Sequence, residues 1–100
     1  VILNTPSFYN DEVHQERMAR LRDRPIENKW IGQRMTDPEL DLAGLARAQG
    51  AVGFGPINNA TDLPAILNEA IRAVEAGSVA VIDVRVQPGS AVDDFSSHQV

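Results

Sequence analysis

The chain contains no cysteine. Disulfide scaffolds, thiolate-held zinc or iron–sulfur centres and cysteine nucleophiles are therefore excluded. Aromatic residues are few: one Trp, one Tyr and three Phe. No apolar run approaches the ~20 residues that span a bilayer. No secretory signal is recognisable, so a cytoplasmic location without membrane association is expected. Basic residues are also scarce, nine against fourteen acidic ones, for a net charge of −5. That balance argues against nucleic-acid binding, because a phosphate backbone selects positive surfaces. What is present, 43% hydrophobic and 23% charged residues over 100 positions, excludes a disordered chain and suffices for one small domain.

Val1-Ile2-Leu3 followed by Asn4-Thr5-Pro6-Ser7 reads as a buried strand running into a turn. A buried parallel strand has neighbours on both edges. The expectation is that the chain is a piece of a larger domain cut at or just before a strand; a processed N-terminus is the alternative. From Phe8 to about Leu21 a polar helix is expected, with Val13, Met18 and Leu21 on a thin apolar stripe and Asn10 or Asp11 as cap. Six of the nine basic residues lie between positions 17 and 34, which reads as a solvated helical face or a surface for an anion or acidic partner. Pro25 is expected to end the helix. Residues 26–40 read as an irregular excursion anchored by Trp30-Ile31.

Asp41 is placed to cap a second helix carrying Leu42, Leu45 and Ala46, closed by Gly50. Ala51-Val52 reads as a short extended piece broken into a loop by Gly53-Phe54-Gly55-Pro56. Thr61 or Asp62 then caps the clearest element: Leu63, Ile66, Leu67, Ala70, Ile71 and Val74 recur at helical spacing, with Pro64 in the first turn and Gly77 at the end. Val79 to Val86 reads as a buried parallel strand stopped by Pro88-Gly89, and residues 90–100 as a loose tail. The order strand, helix, excursion, helix, short strand, helix, strand is α/β. It suits the second half of a doubly wound parallel sheet.

Chemistry in such sheets gathers at the carboxyl ends of strands. Asn4-Thr5-Pro6-Ser7 is the polar cluster so placed; its oxygens are hard donors suited to Mg²⁺, or else serve as the caps of a plain strand-to-helix turn. Asn58-Asn59 precedes a helix and reads as loop and cap. Asn59-Ala60-Thr61 fits a glycosylation sequon, which means little without a secretion signal. Gly53-Phe54-Gly55 lacks the third glycine of a phosphate loop. Asp83, inside an apolar strand, is expected to answer a hydrogen-bond donor at a sheet end.

The segment Val1 to Asn10 resembles the end of the thiamine-diphosphate motif, which opens with Gly-Asp-Gly and closes with Asn-Asn after a strand. Trp30-Ile31-Gly32, Asp37-Pro38, Asp41 to Ala46, Gly50, Gly53, Asp62-Leu63, Val81-Ile82-Asp83-Val84 and Pro88 are similar, in order and spacing, to the carboxyl-terminal stretch of acetolactate-synthase-like and benzoylformate-decarboxylase-like enzymes. The resemblance implies a partial thiamine-diphosphate-binding domain over residues 1–89. It implies thiamine diphosphate and Mg²⁺ as cofactors, and decarboxylation, ligation or cleavage of C–C bonds beside a carbonyl in 2-oxo acids or related ketones. It also implies a homodimer or tetramer assembled with the upstream part of the same enzyme.

By that resemblance Asn4, Thr5, Ser7 and Phe8 bind the cofactor, Thr5 through its side chain and Ser7 through its carbonyl being metal ligands. Thr5 departs from the family's Asn: a hydroxyl is a poorer neutral donor on a shorter arm. Because Gly-Asp-Gly is not in the chain, half a metal site is expected here. His14 matches a position where relatives carry a large aromatic residue facing substrate and is the catalytic candidate; an exposed helical histidine is the alternative. Asn10 and Asp11 match apolar positions, implying a more polar substrate or ordered water. The reading from a different class is a non-catalytic α/β module used for binding or assembly.

Overall fold

The computed structural model describes residues 1–88; the expected tail at 90–100 lies outside them. The element order is β1 (Ile2–Asn4), α1 (Tyr9–Leu21), α2 (Leu42–Ala48), β2 (Val52–Ile57), a 3₁₀ turn (Ala60–Asp62), α3 (Leu63–Glu75) and β3 (Ala80–Arg85). The α/β reading and its order of elements hold. The described chain divides into two compact units, Val1–Asn4 with Leu40–Val86, and Thr5–Glu39 with Gln87 and Pro88.

The first unit is a three-stranded parallel sheet in the order β1-β3-β2. Alternation along β3 sends Ala80, Ile82 and Val84 to one face. There they pack with Ile57, Ala70, Phe54, Leu63, Ile66 and Leu67. This is the core, and α3 forms its lid. The apolar stripe of α3 is only half used: Ile71 and Val74 stay 53% and 56% exposed, because the three strands are too few to underlie the whole helix. The other sheet face carries α2, whose buried Ala43 sits against Gly53; a Cβ at Gly53 would run into the Ala43 carbonyl. The Arg47 guanidinium donates to the Gly53 carbonyl at 2.9 and 3.1 Å. Asp41 caps α2 as expected, accepting from the Gly44 N–H at 2.9 Å. Gly50 and Gly77 take the left-handed conformation (φ +92° and +96°) that closes helices.

Two expectations fail here. Gly53-Phe54-Gly55-Pro56 is not a loop but the body of β2. β2 lies at the sheet edge, where Pro is tolerated, and its register slips between Phe54 and Ile57. Neither Thr61 nor Asp62 caps α3 through its side chain; Asn59 caps the preceding 3₁₀ turn instead, accepting from the Thr61 N–H at 3.2 Å.

The second unit is built on α1. Neither Asn10 nor Asp11 caps it: Phe8 holds the N-cap position with no side-chain cap bond. The helix ends at Leu21, before Pro25. Residues 26–34 form successive turns rather than irregular chain, with Gln33 N–H donating to the Trp30 carbonyl at 2.9 Å and Lys29 N–H to that of Ile26 at 3.2 Å. Trp30 does not anchor them by burial; it remains 45% exposed. The stripe on α1 is too thin to receive it, and α1 buries Glu12 instead, 3% exposed. Arg34 Nε donates to Glu12 at 2.7 Å while its guanidinium lies 6.0 Å from the Trp30 ring centre.

Lys29 and Arg20 both donate to Glu16, at 2.8 and 2.9 Å. The Lys29 bond first, then that of Arg20, holds the Glu16 carboxyl below its ordinary range. A folded pKa below the unfolded one adds stability that is present above about pH 4.3 and is lost as pH falls through the lower, folded value. Glu16→Gln is therefore expected to melt below the parent at pH 7, with the gap closing as the pH falls through the lowered folded value. A gap in melting temperature that is constant over this range would show that the two bonds do not form.

Candidate functional site

β1 delivers Asn4 to the carboxyl end of the sheet. Its carbonyl accepts from the Val86 N–H at 3.1 Å, and the residue is half-buried. The chain then turns. Pro6 cannot donate, but its carbonyl accepts from the Met35 N–H at 2.8 Å, and Phe8 N–H donates to the Gln33 carbonyl at 3.0 Å. These two bonds form an antiparallel bridge between Ser7 and Arg34. In this geometry the bonds belong to the flanking residues, so the N–H and C=O of Ser7 itself fall outside the pairing.

Ser7 is 6% exposed, and its Oγ has no hydrogen-bond partner among the described residues. It lines a cavity of about 370 Å³ together with Thr5, Phe8, Tyr9, Asn10, Asp11 and Pro88. The start of α1 opens here without a side-chain cap. Hydroxyls, an amide, a carboxylate and a helix N-terminus thus converge on one small volume. All are oxygen or N–H groups suited to a hard cation or its anionic partner.

Of the residues singled out from the sequence, Thr5, Ser7 and Phe8 come together here, with Thr5 exposed and Phe8 57% exposed. Asn10 and Asp11, matched to pocket positions, line the same cavity. His14 does not: it is exposed on α1 and is not part of the lining. No cluster of three or more His, Asp or Glu side chains suited to a metal occurs among the described residues, so the side chains and carbonyls of the turn are the donors on offer. No helix among them is long and apolar enough to cross a membrane.

Two features escape sequence reasoning. A cavity of about 570 Å³ lies at the carboxyl end of β2, bounded by Gly55 to Asn59 and the start of α3. It goes unseen while Gly53 to Pro56 is taken for a loop. Asp83 is wholly buried, yet neither of its carboxylate oxygens meets a donor among the described residues, contrary to the expectation that it answers one. The parity of the strand could have warned of this, since Asp83 shares a face with Val81. No family model, no curated protein and no solved structure matches this chain.

Proposed function

We propose that the chain forms the carboxyl-terminal part of the cofactor-binding domain of a thiamine-diphosphate- and Mg²⁺-dependent enzyme acting in the cytoplasm on small 2-oxo acids or related ketones. The observation that carries this is Ser7, whose buried hydroxyl has no partner among the described residues and whose carbonyl lies outside the backbone pairing with Arg34, at a cavity just after β1. Its donor chemistry suits one half of a Mg²⁺–diphosphate site. Thr5 would offer its hydroxyl and Ser7 its carbonyl to the metal, with Asn4 and Phe8 beside the cofactor. When bound, thiamine diphosphate supplies an electron sink next to the substrate carbonyl. His14, exposed on α1, is proposed to face substrate and to donate or accept a proton there.

The sheet supports a larger assembly. Parallel strands are normally covered on both faces, whereas Val1 and Leu3 are 71% and 68% exposed. The upstream part of the same enzyme, and a second copy of it, are the partners proposed to complete the fold and the site.

The test is made on the complete polypeptide. Thr5→Ala is expected to raise the Mg²⁺ concentration needed for cofactor binding about tenfold or more. Thr5→Asn should preserve or lower it, since an amide oxygen is the better donor. Mg²⁺ dependence unchanged in Thr5→Ala, read by calorimetric titration, would reduce Thr5 to a turn residue and overturn its assignment as a metal ligand.

A further inference from the structure

The cavity after β1 lies wholly within the second unit. Its polar walls are of two kinds. The hydroxyls of Thr5 and Ser7 and the side-chain amide of Asn10 can each donate or accept, so they adjust to whatever they meet. Two other groups have one role only. The Asp11 carboxylate accepts and does not donate. The backbone N–H of Asn10, at the second position of α1, donates and does not accept.

The chain itself uses neither. Asp11 is exposed, and its side chain has no hydrogen bond or ion pair among the described residues. The N–H groups of Asp11 and Glu12 both donate to the Phe8 carbonyl, at 3.1 Å each, whereas that of Asn10 meets no acceptor among the described residues. Ser7 is the independent sign of a ligand. It is 6% exposed, and its hydroxyl has no partner among the described residues, a cost that a hydrogen bond to a bound molecule removes. Charge narrows the choice. Asp11 is the one charged residue among the described ones of the lining; its neighbour Glu12 is taken up by Arg34 at 2.7 Å. A ligand that is only an anion meets a carboxylate with no cation in the lining to offset it. A ligand that is only apolar displaces water from the carboxylate and the N–H and gives them nothing in return. The complementary molecule brings an acceptor oxygen to the start of α1 and a donor to Asp11.

We infer that Asp11 sets the specificity of this cavity, and that the substrate is a 2-oxo acid or ketone carrying a hydroxyl or ammonium group. A carbonyl or carboxylate oxygen of the substrate takes the Asn10 N–H, and the hydroxyl or ammonium donates to Asp11. That the ligand is a substrate rests on the proposed cofactor reading; the match of donor to acceptor does not. A hydrogen bond to a charged group is the stronger kind, and a buried carboxylate left without one discriminates against the analogue that lacks the donor.

The test uses the complete polypeptide and probes of one chain length: 2-oxobutanoate, 4-hydroxy-2-oxobutanoate and 4-amino-2-oxobutanoate. Without cofactor, calorimetric titration is expected to show the hydroxy or the amino compound binding about tenfold or more tighter than 2-oxobutanoate. A preference for the amino compound that falls with added salt marks the ammonium as the group taken; a hydroxy preference that salt leaves alone marks the hydroxyl. Asp11→Leu should bring the probes within about twofold of one another, with 2-oxobutanoate bound no more weakly than by the parent. Asp11→Asn keeps an acceptor oxygen and should retain a hydroxyl preference but lose one for the ammonium. Arg17→Gln, on the same helix and outside the cavity, should change neither. Probes that do not bind, that bind the parent alike, or whose ranking survives Asp11→Leu overturn the inference. With thiamine diphosphate and Mg²⁺ added, the same ranking is expected in kcat/KM. If the polypeptide binds no thiamine diphosphate yet discriminates through Asp11, the cofactor reading falls and the site stands. If it binds the cofactor and turns over the probes alike, the reading stands and the role of Asp11 is overturned.

Discussion

Replacing Gly55 with Ala is expected to cost about 3 kcal/mol of stability, the larger part of what a small domain has to spare. Two causes add. Gly55 sits at φ +118°, a conformation that L side chains rarely adopt, at a cost of about 1–3 kcal/mol. A Cβ there would also lie 2.5 Å from the Asp83 carbonyl and 3.2 Å from the Asp83 Cβ, so β2 and β3 would have to part where their register already slips. Overpacking of that kind costs about 1–3 kcal/mol by itself. Gly32→Ala separates the two causes. Gly32 has φ +79° with nothing within 4 Å of a built Cβ, so only the conformational cost applies, about 1 kcal/mol. Urea unfolding of both variants measures the difference. Equal losses in the two would mean that the close approach of Gly55 to Asp83 is not present in solution.

That close approach also explains why part of the fold was hidden in the sequence. α3 and β3 declare themselves: six apolar residues at helical spacing from Leu63 to Val74, then a β-branched run stopped by Pro88. β2 does not. Two glycines and a proline in six residues carry the local signals of a loop, and only a neighbouring strand makes them a strand. Gly53 admits α2, Gly55 admits β3, and Pro56 is harmless at an edge. These are tertiary reasons that no local window contains. The candidate site divides in the same way. The turn from Asn4 to Ser7 was legible because hard oxygen donors followed an apolar run. The burial of Ser7 was not, since it depends on a bridge to Arg34. Nor was the burial of Glu12, a residue on the polar side of a polar helix whose partner is 22 positions away.

Arg34→Met is expected to cost about 2 kcal/mol, below the 3–5 kcal/mol typical of breaking a fully buried pair. The Glu12 side chain is 4% exposed and that of Arg34 47%, so the bridge is dry at one end and wet at the other, and solvent screening discounts it. The asymmetry dictates which change hurts more. Removing Arg34 leaves a buried carboxylate without its cation. Glu12→Gln leaves an exposed guanidinium that water receives, and should cost about 1 kcal/mol or less. The double variant should be more stable than Arg34→Met alone, because the stranded charge is gone. Methionine keeps the apolar stem beside Trp30, so the loss reports charge rather than packing. Trp30 is the chain's single tryptophan and lies in this unit, so its fluorescence during urea unfolding reads the effect where it arises. Salt should change the cost little, since Glu12 is shielded from ions. Arg34, which makes this ion pair, also stands opposite Ser7 in the backbone bridge, so Arg34→Met should loosen the cavity wall and raise hydrogen exchange at Phe8 N–H and Met35 N–H, whose bonds frame Ser7. A loss in Glu12→Gln equal to that in Arg34→Met, or exchange at those two amides left unchanged, would show that backbone pairing alone holds the turn and that the ion pair is incidental to it.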